Sequence, residues 1–358
     1  MEYSNTRRAN FLALLRVLDI PLLAALAMGI YFATAYELVD QYRLMPLAHS
    51  RLLNSKELLL DRAATGAHDV FILGSSVAVD GIDCHVIDKE LPAGMKSYNM
   101  AWAGAGPGRW PLIQPSLVEA KPAAVVFEID FPSVITNTPM PRHMAAVAGW
   151  FDFAPPDYRP TLEKLLNKEN ETDPLYASRL SQLLEFRVLP LVHLEVTVRE
   201  TLRKDLRYEG YDKNFTDPWL RLTVVNEAAM QRSIKQNVEQ LLHAKVEQMN
   251  YTADLIRLMS DKLHAVGAKV IFVLAPMNPD VLSQLPSDYV QKMSAPLVQA
   301  AEESGAIFID QSTLLPASGF SDHIHPFEAG RVQWSEAVGQ AVRAALQGDQ
   351  RPHAVSDT

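Results

Sequence analysis

The sequence holds one cysteine, Cys84, among 358 residues. A single thiol excludes an internal disulfide framework and any zinc site built on several cysteines. A basic excess is also missing: 33 Lys+Arg against 42 Asp+Glu leave a formal charge of −9. General nucleic-acid binding is thereby disfavoured, because displacing phosphate counterions needs a positive surface. The chain has no G-x-S-x-G elbow, and Gly104, Gly106 and Gly108 form neither a dinucleotide fingerprint nor a P-loop. It has no internal repeat and no low-complexity tract. What it does have is ordinary globular material, with 48% hydrophobic and 21% charged residues. That composition builds a core and excludes wholesale disorder. At roughly 100–200 residues per domain, the length allows one large domain or two ordinary ones.

The longest uncharged stretch runs from Ile20 to Tyr36, 17 residues. As a helix it spans roughly 25 Å, slightly less than the ~30 Å hydrocarbon core of a bilayer. Arg7, Arg8 and Arg16 precede it, and Glu37 and Asp40 follow it. The positive-inside rule then places the N-terminus in the cytoplasm and the rest outside. We read residues 1–36 as a single-pass anchor in the cytoplasmic (inner) membrane, with an extracytoplasmic or periplasmic remainder. Two alternatives stay open. Ala33-Thr34-Ala35 is an A-x-A pattern suited to a cleaved signal peptide, and a buried core helix would show a similar apolar run.

Beyond the anchor, residues 37–66 read as a helical connector interrupted at Pro46. Five short apolar runs then read as strands: Val70 to Leu73, Lys96 to Met100, Ala124 to Ile129, Lys269 to Leu274 and Ala306 to Ile309. Helical stretches separate them, at Pro111 to Ala120, Asn226 to Val266 with a break expected near Asn250, and Tyr289 to Ser304. Continuous apolar strands alternating with amphipathic helices indicate an α/β domain with a buried parallel sheet. That domain occupies residues 67–345. Residues 131–225 are rich in Pro and charge and read as an insertion, and 346–358 as a polar tail.

Ligands of open α/β sheets bind beyond the carboxyl ends of the strands, so the residues that follow each strand are the informative ones. Gly74-Ser75-Ser76 follows the first run. Asn99 to Gly104 follows the second, Asp130 the third, and Pro276 and Asn278 the fourth. After the fifth comes Ser321-Asp322-His323-Ile324-His325-Pro326, with Gly330 beyond it. Asp322 and His325, three apart, suit a carboxylate accepting from the ring Nδ1–H. That fixes the tautomer and leaves Nε2 to take a proton from a serine hydroxyl. Taken singly, each piece has a plain structural reading: Ser75, Ser76 and Asp322 as helix caps, the glycines as a loop, His323 as a loop histidine. Trp102, Trp110 and Trp150 read first as core and second as platforms for sugar rings.

In combination these residues resemble the SGNH (GDSL-like) hydrolase superfamily. Its first block matches Gly74-Ser75-Ser76, with Ser76 at the nucleophile position. Its second matches Asn99 to Gly104, and its last matches Asp322, His325, Pro326 and Gly330. Its third block, Gly-x-Asn-Asp, is replaced by Glu128-Ile129-Asp130, so the side-chain oxyanion donor has no counterpart. The Gly-x-Ser first block and the N-terminal apolar segment are similar to membrane-anchored branches, the DltD-like and AlgJ/AlgX-like envelope acyl-transfer proteins. The resemblance implies a three-layer flavodoxin-like sandwich and a catalytic set of Ser76, His325 and Asp322. It implies an oxyanion site from the amides of Ser76 and Gly104, and no cofactor or metal; the missing third donor points to a slower enzyme or to a substitute, Asn278 or a donor from the insertion. The implied activity is O-acyl transfer or deacylation on a cell-envelope or exported polysaccharide. The implied partners are an acyl donor or acylated glycan and a membrane acyl-transfer protein. Two rival readings are a non-catalytic glycan-binding subunit with a degraded site, and a metal site at Asp322, His323 and His325.

Overall fold

The computed structural model describes residues 47–136, 215–217 and 226–348. The anchor segment, Trp150 and nearly all of the insertion lie outside them. Among the described residues no helix is long and apolar enough to cross a membrane.

Five strands form one parallel sheet: β1 (Val70–Leu73), β2 (Ser97–Asn99), β3 (Ala124–Ile129), β4 (Lys269–Leu274) and β5 (Ile307–Asp310). Their spatial order is β2-β1-β3-β4-β5, the flavodoxin-like order 2-1-3-4-5. All four pairings are parallel, as strands joined by helical crossovers require. β1 and β3 are buried at every position, which explains their unbroken apolar runs: a strand covered on both faces has no polar side to alternate with.

Helices cover both faces. On one lie α1 (Leu47–Thr65), α4 (Trp110–Ala120), α7 (Met249–His264) and α9 (Tyr289–Glu303), with α1 against α4 and α7 against α4 and α9. Phe127 and Phe272 are register partners in β3 and β4. Their rings stack with centroids 5.1 Å apart, and Trp110 lies 4.7 Å from Phe127. Trp110 is therefore a core residue that ties α4 to the sheet. On the opposite face α10 (Glu328–Leu346) packs against α2 (Ser76–Gly81) and α3 (Cys84–Ile87). The approach is close: a Cβ on Gly81 would collide with the Trp334 ring of α10.

The remaining α-helices among the described residues are α5 (Phe131–Thr136), α6 (Glu227–His243) and α8 (Pro279–Leu282). The long amphipathic stretch breaks earlier than its periodicity suggests. α6 ends at His243, Ala244 and Lys245 are extended, and a short 3₁₀ turn at Val246–Gln248 leads into α7. The Gln248 side chain accepts from the Lys245 N–H at 2.8 Å, so the break has its own capping bond, while Asn250 lies in the first turn of α7. Leu47–Thr65, the described part of the stretch read from sequence as a connector, packs against α4 in the helical layer, and its Arg51 reaches the carboxyl end of β2.

Candidate active site

Three loops meet at the carboxyl edge of the sheet, around the β1/β3 switch point where open sheets form their crevice. The first is the turn from β1 into α2. Ser75 caps the helix, its Oγ accepting from the Val77 N–H at 3.0 Å. Ser76 is the first helical residue and half-buried, so its N–H has no partner within the helix. The Ser75 N–H donates to Glu128 Oε2 at 2.7 Å. Gly74 has no room for a side chain, because a Cβ there would run into the Glu128 carboxyl and Ala78.

The second loop carries Asp322 and His325. It is pinched by a Phe320–Pro326 bridge and by the Ser321 N–H donating to His325 O at 2.9 Å. Inside it, Asp322 Oδ1 accepts from the N–H groups of Ile324 and His325, each at 2.9 Å. This is the backbone-mimicking turn that Asp favours. The same carboxylate meets His325 Nδ1 at 2.8 Å through Oδ2, and His325 Nε2 lies 2.8 Å from Ser76 Oγ. Burial alone would raise the Asp322 carboxyl. The hydrogen bond and charge of His325 and the two backbone donors outweigh it and hold the group well below the usual carboxylate range. Asp322 thus caps no helix. Gly330, at the start of α10, sits against the Gly319 backbone where a Cβ would collide. That close approach anchors the pinched loop to α10.

The third loop follows β2. Asn99 is spent on scaffolding: its Nδ2 donates to Ala78 O at 2.9 Å and its Oδ1 accepts from the Ala101 N–H. Arg51 of α1, a residue whose importance has no local sequence signal, donates to Ala101 O at 2.5 Å and Asn99 O at 2.6 Å. The Trp102 N–H donates to Gly74 O at 3.2 Å, which draws the loop against the nucleophile turn. Trp102 is buried, so it offers no platform for a sugar ring. Gly104 comes next, exposed and at φ +71, in the left-handed region that glycine supplies without strain.

At the ends of β3 and β4 the structure places acceptors where the resemblance has a donor. Glu128 and Asp130 are buried, and Asp130 Oδ1 accepts from the Ser133 N–H at the start of α5. Asn278 is also buried. Its Oδ1 accepts from the Asp280 N–H and its Nδ2 donates to Asp322 O at 3.4 Å. Its amide therefore holds the Asp322 loop. A small cleft opens here, lined mainly by apolar side chains of α2, α5 and the loop after β4, with Asp130, Asn278 and His323 among them. Among the described residues no group of three or more His, Cys, Asp or Glu is arranged to hold a metal ion. His323 Nδ1 stays 3.9 Å from Asp322 Oδ1.

No family model and no curated protein matches the sequence. Solved structures are similar at 12% identity. One is LAE5, an alpha/beta hydrolase enzyme from the metagenome of Lake Arreo, Spain, matched over 78% of this chain and 97% of its own, with a TM-score of 0.36. Another is Axe2, an acetylxylan esterase from Geobacillus stearothermophilus, matched over 77% of this chain and 94% of its own, also with a TM-score of 0.36. Likeness at this level names neither an activity nor a substrate for this chain.

Proposed function

We propose that this chain performs serine-dependent acyl-ester chemistry, with Ser76 as nucleophile, His325 as general base and Asp322 as its orienting carboxylate. The observation that carries the reading is the continuous contact from Asp322 Oδ2 to His325 Nδ1 and from His325 Nε2 to Ser76 Oγ, 2.8 Å at each link. Ser76 Oγ attacks the ester carbonyl as its proton passes to Nε2, and Asp322 stabilises the imidazolium. The carbonyl oxygen becomes an oxyanion facing the N–H groups of Ser76 and Gly104. The leaving alkoxide takes the proton back from Nε2. Water or a sugar hydroxyl then attacks the acyl-serine, giving hydrolysis or transfer.

Each oxyanion donor is typically worth about 3–4 kcal/mol. With Glu128 and Asp130 as acceptors and Asn278 engaged by Asp322, the proposed site works with two backbone donors. That is the observation behind the second reading, an accessory glycan-binding subunit with a degraded site. The intact Ser76–His325–Asp322 chain favours the enzyme.

The proposed setting is the outer face of the cytoplasmic membrane, in an SGNH-type protein of the DltD-like or AlgJ/AlgX-like kind. Its substrate would be an acyl group on a cell-envelope or exported polysaccharide, delivered or received with a membrane acyl-transfer partner. The apolar segment before residue 37 and its flanking charges support this placement. The test is genetic and chemical. Deleting the gene changes the O-acyl content of the surface polysaccharide, the intact gene restores it, and Ser76→Ala does not. Restoration by Ser76→Ala contradicts the enzyme and favours the accessory reading. A mature protein that begins at Tyr36 contradicts the anchor.

A further inference from the structure

Glu128 lies in the last pleat of β3 and Asp130 directly follows the strand; two residues apart, they fall on one side of it. They are 4% and 8% exposed. Two of their four carboxyl oxygens have donors: Glu128 Oε2 takes the Ser75 N–H at 2.7 Å, and Asp130 Oδ1 takes the Ser133 N–H at 2.7 Å. The other two, Glu128 Oε1 and Asp130 Oδ2, are buried and have no donor among the described residues. As neighbours on one side of the strand they are close enough for the Asp130 charge to act on Glu128. A pair of carboxylates is untenable in that arrangement. Each orphaned acceptor has lost water without compensation, and the two like charges repel in a medium that screens poorly. One proton placed between the two orphaned oxygens satisfies both at once.

We propose that Glu128 and Asp130 share this proton, Glu128 Oε1–H donating to Asp130 Oδ2, and that neutral Glu128 is a positioning residue for the nucleophile turn. Burial first, and then the neighbouring Asp130 charge, push the Glu128 carboxyl well above its ordinary range. The neutral form has a functional consequence. The Glu128 carbonyl oxygen fixes the Ser75 amide, hence the direction of the adjoining Ser76 N–H, without setting a full negative charge behind the place where an oxyanion would form. Gly74 completes the device, because only a residue without Cβ lets the turn lie against this carboxyl. The positioning role rests on the reading of Ser76 as nucleophile; the shared proton does not.

The test uses the full-length chain carrying isotope-labelled glutamate. Infrared spectroscopy at neutral pH is expected to show the carbonyl stretch of a buried protonated glutamic acid, lost in Glu128→Gln. Absence of that band overturns the shared proton. The second readout is the rate at which a serine-reactive phosphonate modifies Ser76. Glutamine can accept from Ser75 and donate to Asp130, so Glu128→Gln is expected to stay close to the wild-type rate. Glu128→Leu is expected to fall about 100-fold, the scale of an ångström-sized misplacement. A fall in Glu128→Gln as deep as in Glu128→Leu overturns the positioning role. If Glu128→Leu does not fold, the wild-type band and the Glu128→Gln rate decide. If wild-type Ser76 takes no phosphonate, the nucleophile reading fails, while the infrared band still decides the shared proton.

Discussion

Two buried carboxyls of the site, Asp322 and Glu128, are tuned in opposite directions, and pH separates them. Asp322 ionises near 3.8 when unfolded and lower when folded, because His325 and two backbone N–H groups favour its charge over the opposing effect of burial. Its contribution to stability is present above about pH 4 and is lost as pH falls through the lower folded value. Glu128 runs the other way. Unfolded it ionises near 4.5; folded it keeps its proton to higher pH. Stability is therefore lost as pH rises above about 4.5. Denaturant midpoints of wild type and Glu128→Gln, compared between about pH 4 and about pH 8, are predicted to shift in favour of the variant as pH rises. Asp322→Asn is predicted to flatten the acid limb of the stability profile. It should also cut the rate of Ser76 modification by about 10,000-fold, since an amide partner selects the wrong imidazole tautomer.

At the scale of elements, close backbone approaches and long-range clamps hold the three loops in register. Gly330→Ala forces a methyl into the Gly319 backbone. It is predicted to cost about 1–3 kcal/mol, the usual price of overpacking, read as a lowered unfolding midpoint with slower Ser76 modification. Arg51→Met leaves the Asn99 and Ala101 carbonyls without their buried donor and should cost about 1–3 kcal/mol per unsatisfied group. The same elements show what was legible beforehand. The strands were, because burial on both faces leaves continuous apolar runs such as AVVFEI and KVIFVL. The Asp322–His325 contact was, because it is local. The end of α6 was not: the apolar stripe continues across Ala244 to Gln248, and the break shows only in their extended backbone and capping bond. Glu128 and Arg51 were not, because their partners lie 48 to 53 residues away and no spacing rule joins them. Ser76 and His325 are 249 residues apart, and they meet because the pinched loop leads into α10, which packs against α2.

For the molecule as a whole, the lone cysteine becomes a reporter. Cys84 is buried at the start of α3, and burial pushes its thiol up to about 12. Its Sγ also contacts Phe215 O at 3.6 Å, where a piece of the insertion covers the β2 edge. Thiol reagents are predicted to reach it only when the domain opens, so its labelling rate should rise with denaturant in parallel with loss of secondary structure. Rapid labelling in native buffer would show instead that the β2 edge opens by itself. The −9 charge excludes no glycan, and the sheet order puts every residue of the proposed chemistry on one rim.

The claim on which the rest depends is that Ser76 is an activated nucleophile. The full-length chain is treated with a serine-reactive phosphonate and the adduct is mapped by mass spectrometry, with a chelator present in a parallel sample. The account predicts one adduct, on Ser76, unchanged by the chelator and lost in His325→Ala. Folded protein that carries no adduct, or an adduct on Ser76 that survives His325→Ala, would contradict it.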